Sequence, residues 1–435
     1  MGRGEVDGMI VGIDVGTTKV CTLVAEVVEG EHLSGPEEDL GRGSTFREDL
    51  EEGRLRIVGV GVAPSQGLRK GMVVNVEEAA RAIESSVEKA ERVSGHAIED
   101  AYVGVTGEHI SALNSRGVVA ITSHDRIVAE EDTRRAIEAA RAIAIPHDRQ
   151  IIHAIPRYYT LDEQKGLHIS DPLGMQAFRL EVEVHVVTAA VASLENLRRA
   201  VERAGVQVRD PVLEPWAAGE AVLTRAEREM GVVLADIGGG TTDIAVFVEG
   251  KICHTLVLAV GGHHLTNDLS IVLRMPFDQA EEIKIRHGHA LPQAVRSDEV
   301  IKAHVFGSAL TQGIPRRYVS EILEARAAEI LTLIGQEVKK SGYDGLLPAG
   351  VVLCGGTGEL PGLVDLASQL LELPVRIGGP RNLVGLVDAI SSPAYATGVG
   401  LLLCGLQPGE GYRRLTRPGE SVLERFKRWL RVFLP

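Results

Sequence analysis

The chain reads as a mixed α/β protein made of more than one packed unit, and three observations predict this. Short strand-like apolar runs alternate with segments of helical periodicity. One pattern of strand, Gly/Thr turn and strand occurs at residues 12–19 and again at 236–243. The length of 435 residues exceeds what one hydrophobic core encloses and implies two to four packed units.

Residues 9–15 and 19–28 flank Gly-Thr-Thr, which predicts a β-hairpin opening a domain. Residues 29–53, rich in Gly, Glu and Asp, predict a solvated acidic loop between strands. A strand at 56–63 leads to a helix at 76–94, where Ala79, Ala80, Ile83, Val87 and Ala90 recur at helical spacing. A strand-rich unit follows at 102–161, with a helix near 130–143 in its middle. Residues 181–188 alternate polar and apolar side chains, and a helix at 193–204 precedes a strand at 207–213. The apolar run 231–237 ends in Gly-Gly-Gly and restarts at 243–249, a second hairpin built like the first. Helical segments dominate 265–333, and 350–353 predicts one more buried strand, ending near Gly355-Gly356. Gly405, Pro408, Gly409, Gly411, Pro418 and Gly419 have the composition of a flexible linker, after which helical periodicity returns.

Composition narrows the function classes. With 44% hydrophobic and 24% charged residues the chain is globular in character rather than disordered. A formal charge of -14 argues against a nucleic-acid partner, whose footprint is basic. Cys21, Cys253, Cys354 and Cys404 lie far apart, without the paired spacing of zinc or redox motifs, and read as reduced thiols. No stretch approaches eighteen uninterrupted apolar residues, and no signal peptide is apparent, so a cytosolic, non-spanning protein is expected. His109, His153, His185, His263 and His264 do not recur as ligand sets and read as structural histidines.

The two hairpins carry the chemistry. Each places an Asp at a strand end, Asp14 or Asp236, as a hard oxygen ligand for Mg²⁺ through retained water. Each continues into a turn whose backbone N–H groups and hydroxyls suit a polyphosphate: Gly16, Thr17 and Thr18 in the first, Gly238, Gly239, Gly240, Thr241, Thr242 and Asp243 in the second. One such hairpin is weak evidence, but two in one chain are specific.

The pair resembles the phosphate-1 and phosphate-2 loops of the actin, heat-shock-chaperone and sugar-kinase superfamily. Residues 351–358, with Gly355, Gly356 and Thr357, resemble its adenosine loop. The resemblance implies an actin-like two-lobed ATPase fold with ATP and Mg²⁺ as ligands. It makes Glu214, in Leu-Glu-Pro-Trp, the candidate for positioning the attacking water, with a helix cap as the alternative. It puts Glu281 and Lys284 at the ribose and adenine, where they alternatively form an exposed ion pair. Gly261-Gly262 resembles the superfamily's additional glycine turn near the nucleotide, with a simple turn as the alternative. Lys19 is not at the spacing of actin's phosphate-binding lysine.

Within the superfamily, Gly104-Val105-Thr106-Gly107-Glu108-His109-Ile110 and Ile152-His153-Ala154-Ile155-Pro156 resemble the bacterial cell-division family FtsA and its distinct outer subdomain, 1C. The resemblance covers 11–403. It implies subdomain 1A at 9–84, 166–208 and 387–404, 1C at 85–165, 2A at 209–268 and 327–386, 2B at 269–326, a linker at 405–420 and an amphipathic membrane-binding helix at 421–435. In that helix Val422, Leu423, Phe426, Trp429, Leu430 and Phe433 form one stripe, opposite Arg425, Lys427, Arg428 and Arg431. Docking on its own domain or on a partner is the alternative. An FtsA-like protein would polymerise with itself on the cytoplasmic face of the inner membrane at the division site, as a peripheral protein on an anionic lipid surface. There it would tether filaments of the tubulin-like protein FtsZ and meet other division proteins, with slow or regulatory ATPase activity at most. Arg316 and Arg317 are the candidates for the FtsZ C-terminal peptide, or else a solvated helix start. An actin-fold small-molecule kinase and a pilus-assembly relative are the rival readings.

Overall fold

The first sheet grows from a hairpin whose strands are apolar on both faces. In the computed structural model, which describes residues 8–28, 54–162, 166–307, 311–381 and 383–406, β1 (Met9–Val15) and β2 (Lys19–Val28) pair antiparallel, with Asp14 opposite Cys21. The acidic stretch 29–53 and the predicted terminal helix 421–435 lie outside the described residues. β3 (Arg54–Pro64) pairs antiparallel with β2, and a short ribbon, β4 (Leu68–Arg69) with β5 (Met72–Val73), follows. α1 (Val76–Ser94) starts at Asn75, whose side chain accepts hydrogen bonds from the N–H groups of Glu77 and Glu78, and stops at Gly95 in the left-handed region. Its Ala79, Ile83, Val87 and Ala90 stripe packs on the sheet. A Cβ on Gly61 would lie 1.9 Å from the Ser86 carbonyl oxygen, so only glycine admits the helix this close. β6 (Asp100–Val105) then joins β1 in parallel.

An outer unit follows. β7 (Ser111–Ala120), α2 (Glu130–Arg141), β8 (Arg149–Leu161) and β9 (Arg179–Ala190) form a three-stranded sheet in the order β7-β9-β8 with α2 on one face. Along β9 the side chains alternate: Val182, Val184 and Val186 pack in the cluster with α2, while Val187 and Ala189 pack inward with Val105, Leu213 and Val257. These bounds differ from the expected 85–165, because α1 packs on the first sheet and β9, assigned above to 1A, belongs to this one.

α3 (Val191–Arg203) leads to β10 (Gln207–Leu213), parallel to β6 in the first sheet rather than part of the second lobe to which residues 209–213 were assigned. α4 (Glu214–Val222) and α5 (Arg225–Met230) connect to β11 (Val232–Ile237), β12 (Thr242–Val248) and β13 (Lys251–Leu258). α6 (Gly262–Leu273), α7 (Phe277–His287) and the ribbon β14 (Val300–Ala303) with β15 (Gln312–Pro315) come next. α8 (Arg316–Ser341) runs unbroken through residue 326, where a boundary between 2B and 2A was expected. β16 (Val351–Cys354), α9 (Leu363–Leu371), β17 (Val375–Ile377), β18 (Leu383–Gly385) and α10 (Ala396–Leu406) complete the described chain.

The duplication is one of topology. The order β3-β2-β1-β6-β10 of the first sheet, with β18 added on β3, recurs as β13-β12-β11-β16-β17 in the second. α4 and α10 fill the space between, so that Ala217, Ala221, Val399 and Leu402 share one core with Leu23 of the first sheet and with Leu234 and Phe247 of the second. A Cβ on Gly400 would lie 1.8 Å from the Ala217 carbonyl oxygen, which is how the two helices cross at backbone contact.

Candidate functional site

The two hairpin turns face each other at the mouth between the lobes. Gly16 N–H donates to Lys19 O (3.1 Å) and Gly238 N–H donates to Thr241 O (2.9 Å), the same turn in each lobe. The registers align Asp14 with Asp236, Thr17 and Thr18 with Gly239 and Gly240, Lys19 with Thr241, and Cys21 with Asp243. The turns mesh side chain into gap: a Cβ on Gly239 would lie 2.1 Å from Thr18 Oγ1, and one on Gly240 2.5 Å from Thr17 Oγ1. Glycine is therefore required in the second turn because threonine occupies the first.

Four carboxylates converge behind the turns. Asp14, Glu214 and Asp243 are buried, and Asp236 is partly so. Burial pushes Asp14 up to about 7, opposed by Lys19 and assisted by Asp236. Burial also takes Asp243 to about 7, with Asp236 adding to it and hydrogen bonds from Thr106 and Thr241 opposing it. Asp236 is raised by burial against a hydrogen bond that Thr397 Oγ1 donates at 3.0 Å. Glu214 is raised well above the usual carboxylate range by burial, then by Asp14, Asp243 and Asp236. Gly104 leaves it room, since a Cβ there would lie 3.0 Å from Glu214 Oε1. Glu214 is the first residue of α4, and no hydrogen-bond partner appears for its carboxylate among the described residues, so capping does not account for it. Buried acids repelling one another this way are the mark of a site that receives a cation or holds a proton.

The far wall comes from the second lobe. Glu281 and Lys284, one turn apart on α7, pair at 2.8 Å, and Lys284 Nζ also donates to Gly262 O (3.1 Å) and Thr266 Oγ1 (2.9 Å). Burial lowers the Lys284 ammonium, against the attraction of Glu281. The pair is thus largely buried rather than an exposed surface bridge. Thr357 Oγ1 donates to Gly238 O at 3.0 Å, tying the 356–359 turn to the second hairpin, and Gly355 takes φ +78 beside Asp236. These walls enclose a cleft of about 350 Å³ lined by Asp14, Gly16, Thr17, Thr18, Glu214, Asp236, Gly238, Gly239, Gly240, Thr241, Asp243, Glu281, Lys284, Gly355, Gly356 and Thr357.

Two expected residues stand apart from the lining. Thr242 faces away, because strand alternation turns it opposite to Asp243, and its hydroxyl donates to Val260 O at 2.8 Å. Gly262 sits behind the lining, where a Cβ would meet Thr357 Oγ1 at 2.3 Å. Lys19, given little role above, does line the cleft, with its ammonium 3.4 Å from the Tyr395 ring centre. Sequence reasoning also missed Thr106, His263 and Thr397. Thr106 follows a strand and precedes a glycine, the signature used for the hairpins, and was legible in principle; Thr397 lies in an apolar helix and gave no signal. Arg316 and Arg317, at the start of α8, are not among the residues that line the cleft. Arg316 donates to His287 O (2.8 Å) and pairs with Glu299 (2.6 Å), whereas Arg317 is half exposed, 4.0 Å from Glu321. No three His, Cys, Asp or Glu side chains among the described residues gather closely enough to hold a metal ion by themselves.

Two sheets of one duplicated topology around a cleft with paired Asp-Gly turns define an actin-like fold. A PilM–PilN type IV pilus biogenesis complex aligns with TM-score 0.60 at 15% identity, over 92% of this chain and 99% of that one. MreB5 of Spiroplasma citri bound to ADP aligns with TM-score 0.52 at 14% identity, over 92% and 96%. The family profile of cell division protein FtsA matches residues 233–400, and that of the SHS2 domain inserted in FtsA matches 107–188, the outer unit built on β7, β8 and β9. Cell division protein FtsA of Pseudomonas aeruginosa is 42% identical over 97% of both chains, and that of Escherichia coli 33% over 97% of both. The chain belongs to the FtsA family of cell division proteins.

Proposed function

We propose that the cleft binds Mg-ATP and that the protein uses it to assemble on a membrane and tether FtsZ filaments there. The observation that carries the nucleotide reading is the cluster of four acids behind two meshed phosphate-type turns. Asp14 and Asp236, from opposite lobes of the cleft, would hold Mg²⁺ through its retained waters, beside the phosphate oxygens. When bound, Mg²⁺ would neutralise phosphate charge. Gly16, Thr17 and Thr18 face Gly238, Gly239, Gly240 and Thr241 across the phosphate position. Glu281 and Lys284, with Gly355, Gly356 and Thr357, line the adenosine side. Glu214 would orient a water for slow, regulatory hydrolysis.

The membrane step rests on the sequence of residues 421–435. Six apolar side chains at about 25 cal/mol per Å² removed from water, plus about 1 kcal/mol for each basic residue at an anionic leaflet, give one copy modest binding. A filament multiplies it through avidity. No helix among the described residues is long and apolar enough to cross a membrane. For the FtsZ peptide, Arg317 is the more available cation, since Arg316 is engaged by Glu299 and His287. The test is sedimentation with anionic liposomes. Removal of 421–435, or Phe426→Glu with Trp429→Glu, is expected to leave an ATP-binding protein in the supernatant, and undiminished pelleting would refute the anchor.

A further inference from the structure

A histidine stands between the two hairpin turns at the mouth of the cleft. His263 is the second residue of α6, and its N–H donates to Gly239 O at 2.8 Å, which fixes its backbone to the second hairpin turn. Its ring lies edge-on to Phe277 of α7, with centres 5.6 Å apart. Held in this way, it reaches across the cleft until Nε2 lies 3.2 Å from Thr18 Oγ1 of the first lobe. Three groups meet at this point: a Cβ on Gly239 would lie 2.1 Å from Thr18 Oγ1 and 3.3 Å from His263 Nε2. Both His263 and Thr18 line the cleft.

We propose that His263 is a phosphate-binding residue of this cleft, its ring placed beside Thr18 to donate to a phosphate oxygen. The inference rests on the nucleotide reading above. An oxygen that accepts from Thr18 and from the second turn must lie within reach of Nε2, because all three surround the same space. The ring then donates a charge-assisted hydrogen bond to that oxygen, and the ligand joins the two hairpins.

The groups acting on the ring are Glu281 and Lys284 of α7 and His264 of α6, while the first lobe presents uncharged Thr18. Burial lowers its proton affinity, Glu281 opposes this, and Lys284 and His264 add to it. A nearby phosphate dianion favours the imidazolium. Phosphate binding is therefore expected to take up a proton at His263, whose own contribution to affinity grows as pH falls.

Histidine-selective NMR on the full chain, with the His263 signal assigned by its loss in His263→Asn, tests this. With Mg-ATP the His263 resonance is expected to shift and its titration midpoint to rise by about 1 pH unit. Inorganic phosphate moving it in the same direction supports contact with the phosphate group itself, whereas adenosine moving it equally overturns the proposal. In equilibrium dialysis His263→Asn is expected to weaken Mg-ATP about tenfold, with adenosine unchanged and the gap from wild type widening as pH falls. Wild type that binds Mg-ATP with a silent His263, matched by the variant, overturns this proposal alone. Wild type that binds no Mg-ATP overturns the nucleotide reading with it.

Discussion

The two hairpins share a backbone and divide the chemistry between them. Asp14 and Asp236 occupy matching strand ends, and the same turn hydrogen bond follows each. Beyond that the side chains part: Thr17-Thr18 faces Gly239-Gly240, Lys19 matches Thr241, and Cys21 matches Asp243. The first hairpin brings bulk, hydroxyls and a cation; the second brings open backbone and an extra acid. A duplicated scaffold thus becomes a cleft only because its halves have diverged in complementary ways. Two identical Thr-Thr turns would collide, and two identical acid pairs would add charge to a site already pushing protons onto its carboxylates.

Making the halves alike should be the most damaging change. Gly239→Thr with Gly240→Thr places side chains where Thr17 and Thr18 stand, so Mg-ATP affinity by equilibrium dialysis is expected to fall by at least ~100-fold. The fold should remain intact, because these turns lie at the mouth. Recovery in the fourfold variant with Thr17→Gly and Thr18→Gly would show that meshing, not glycine as such, is what matters.

The acid asymmetry comes second. Cys21→Asp adds a carboxylate at a buried position opposite Asp14 and is expected to cost about 3 kcal/mol in urea unfolding. Asp243→Cys removes one acid from the repelling group but strands the Thr106 hydroxyl, which donates to it across the cleft, so its cost should be smaller. Equal costs would mean that the two positions are interchangeable and the asymmetry incidental.

A weaker effect separates the lobes from the outer unit. His153 Nε2 accepts from Leu213 N–H at 2.9 Å, and His185 bridges Asn114 (2.8 Å) and Thr255 (3.0 Å), so both join the outer sheet to the lobes as neutral rings. Burial lowers each to about 3. The folded state then binds fewer protons than the unfolded chain between about pH 6.5 and 3, so stability is unaffected above that window and falls as pH drops through it. The slope is up to about 1.4 kcal/mol per pH unit for each ring. His185→Gln is expected to flatten part of that slope in thermal melts between pH 7 and 5; an unchanged slope would exclude His185 as a source.

Much of this cleft was legible in the chain because its signal is local. Strand, Asp, Gly and Thr stand within eight residues, and the pattern repeats. What was missed is what only the tertiary structure brings together. Thr397 meets Asp236 from the last described helix, Thr106 reaches Asp243 from the other lobe, and His263 crosses to Thr18. Thr242 was misread for a local reason: the turn motif was carried one residue into a strand, where alternation points its side chain away from the cleft. Subdomain limits were the least legible, since β9 and β10 are successive strands with only α3 between them yet join different sheets.

The central claim is that the two hairpins hold one Mg-nucleotide between them, with Asp14 and Asp236 contributing from opposite lobes. Equilibrium dialysis of Mg-ATP against wild type and Asp236→Ala, with folding checked by circular dichroism, tests it directly. The folded variant is expected to bind at least about tenfold more weakly. Unchanged affinity in a folded Asp236→Ala protein would contradict it.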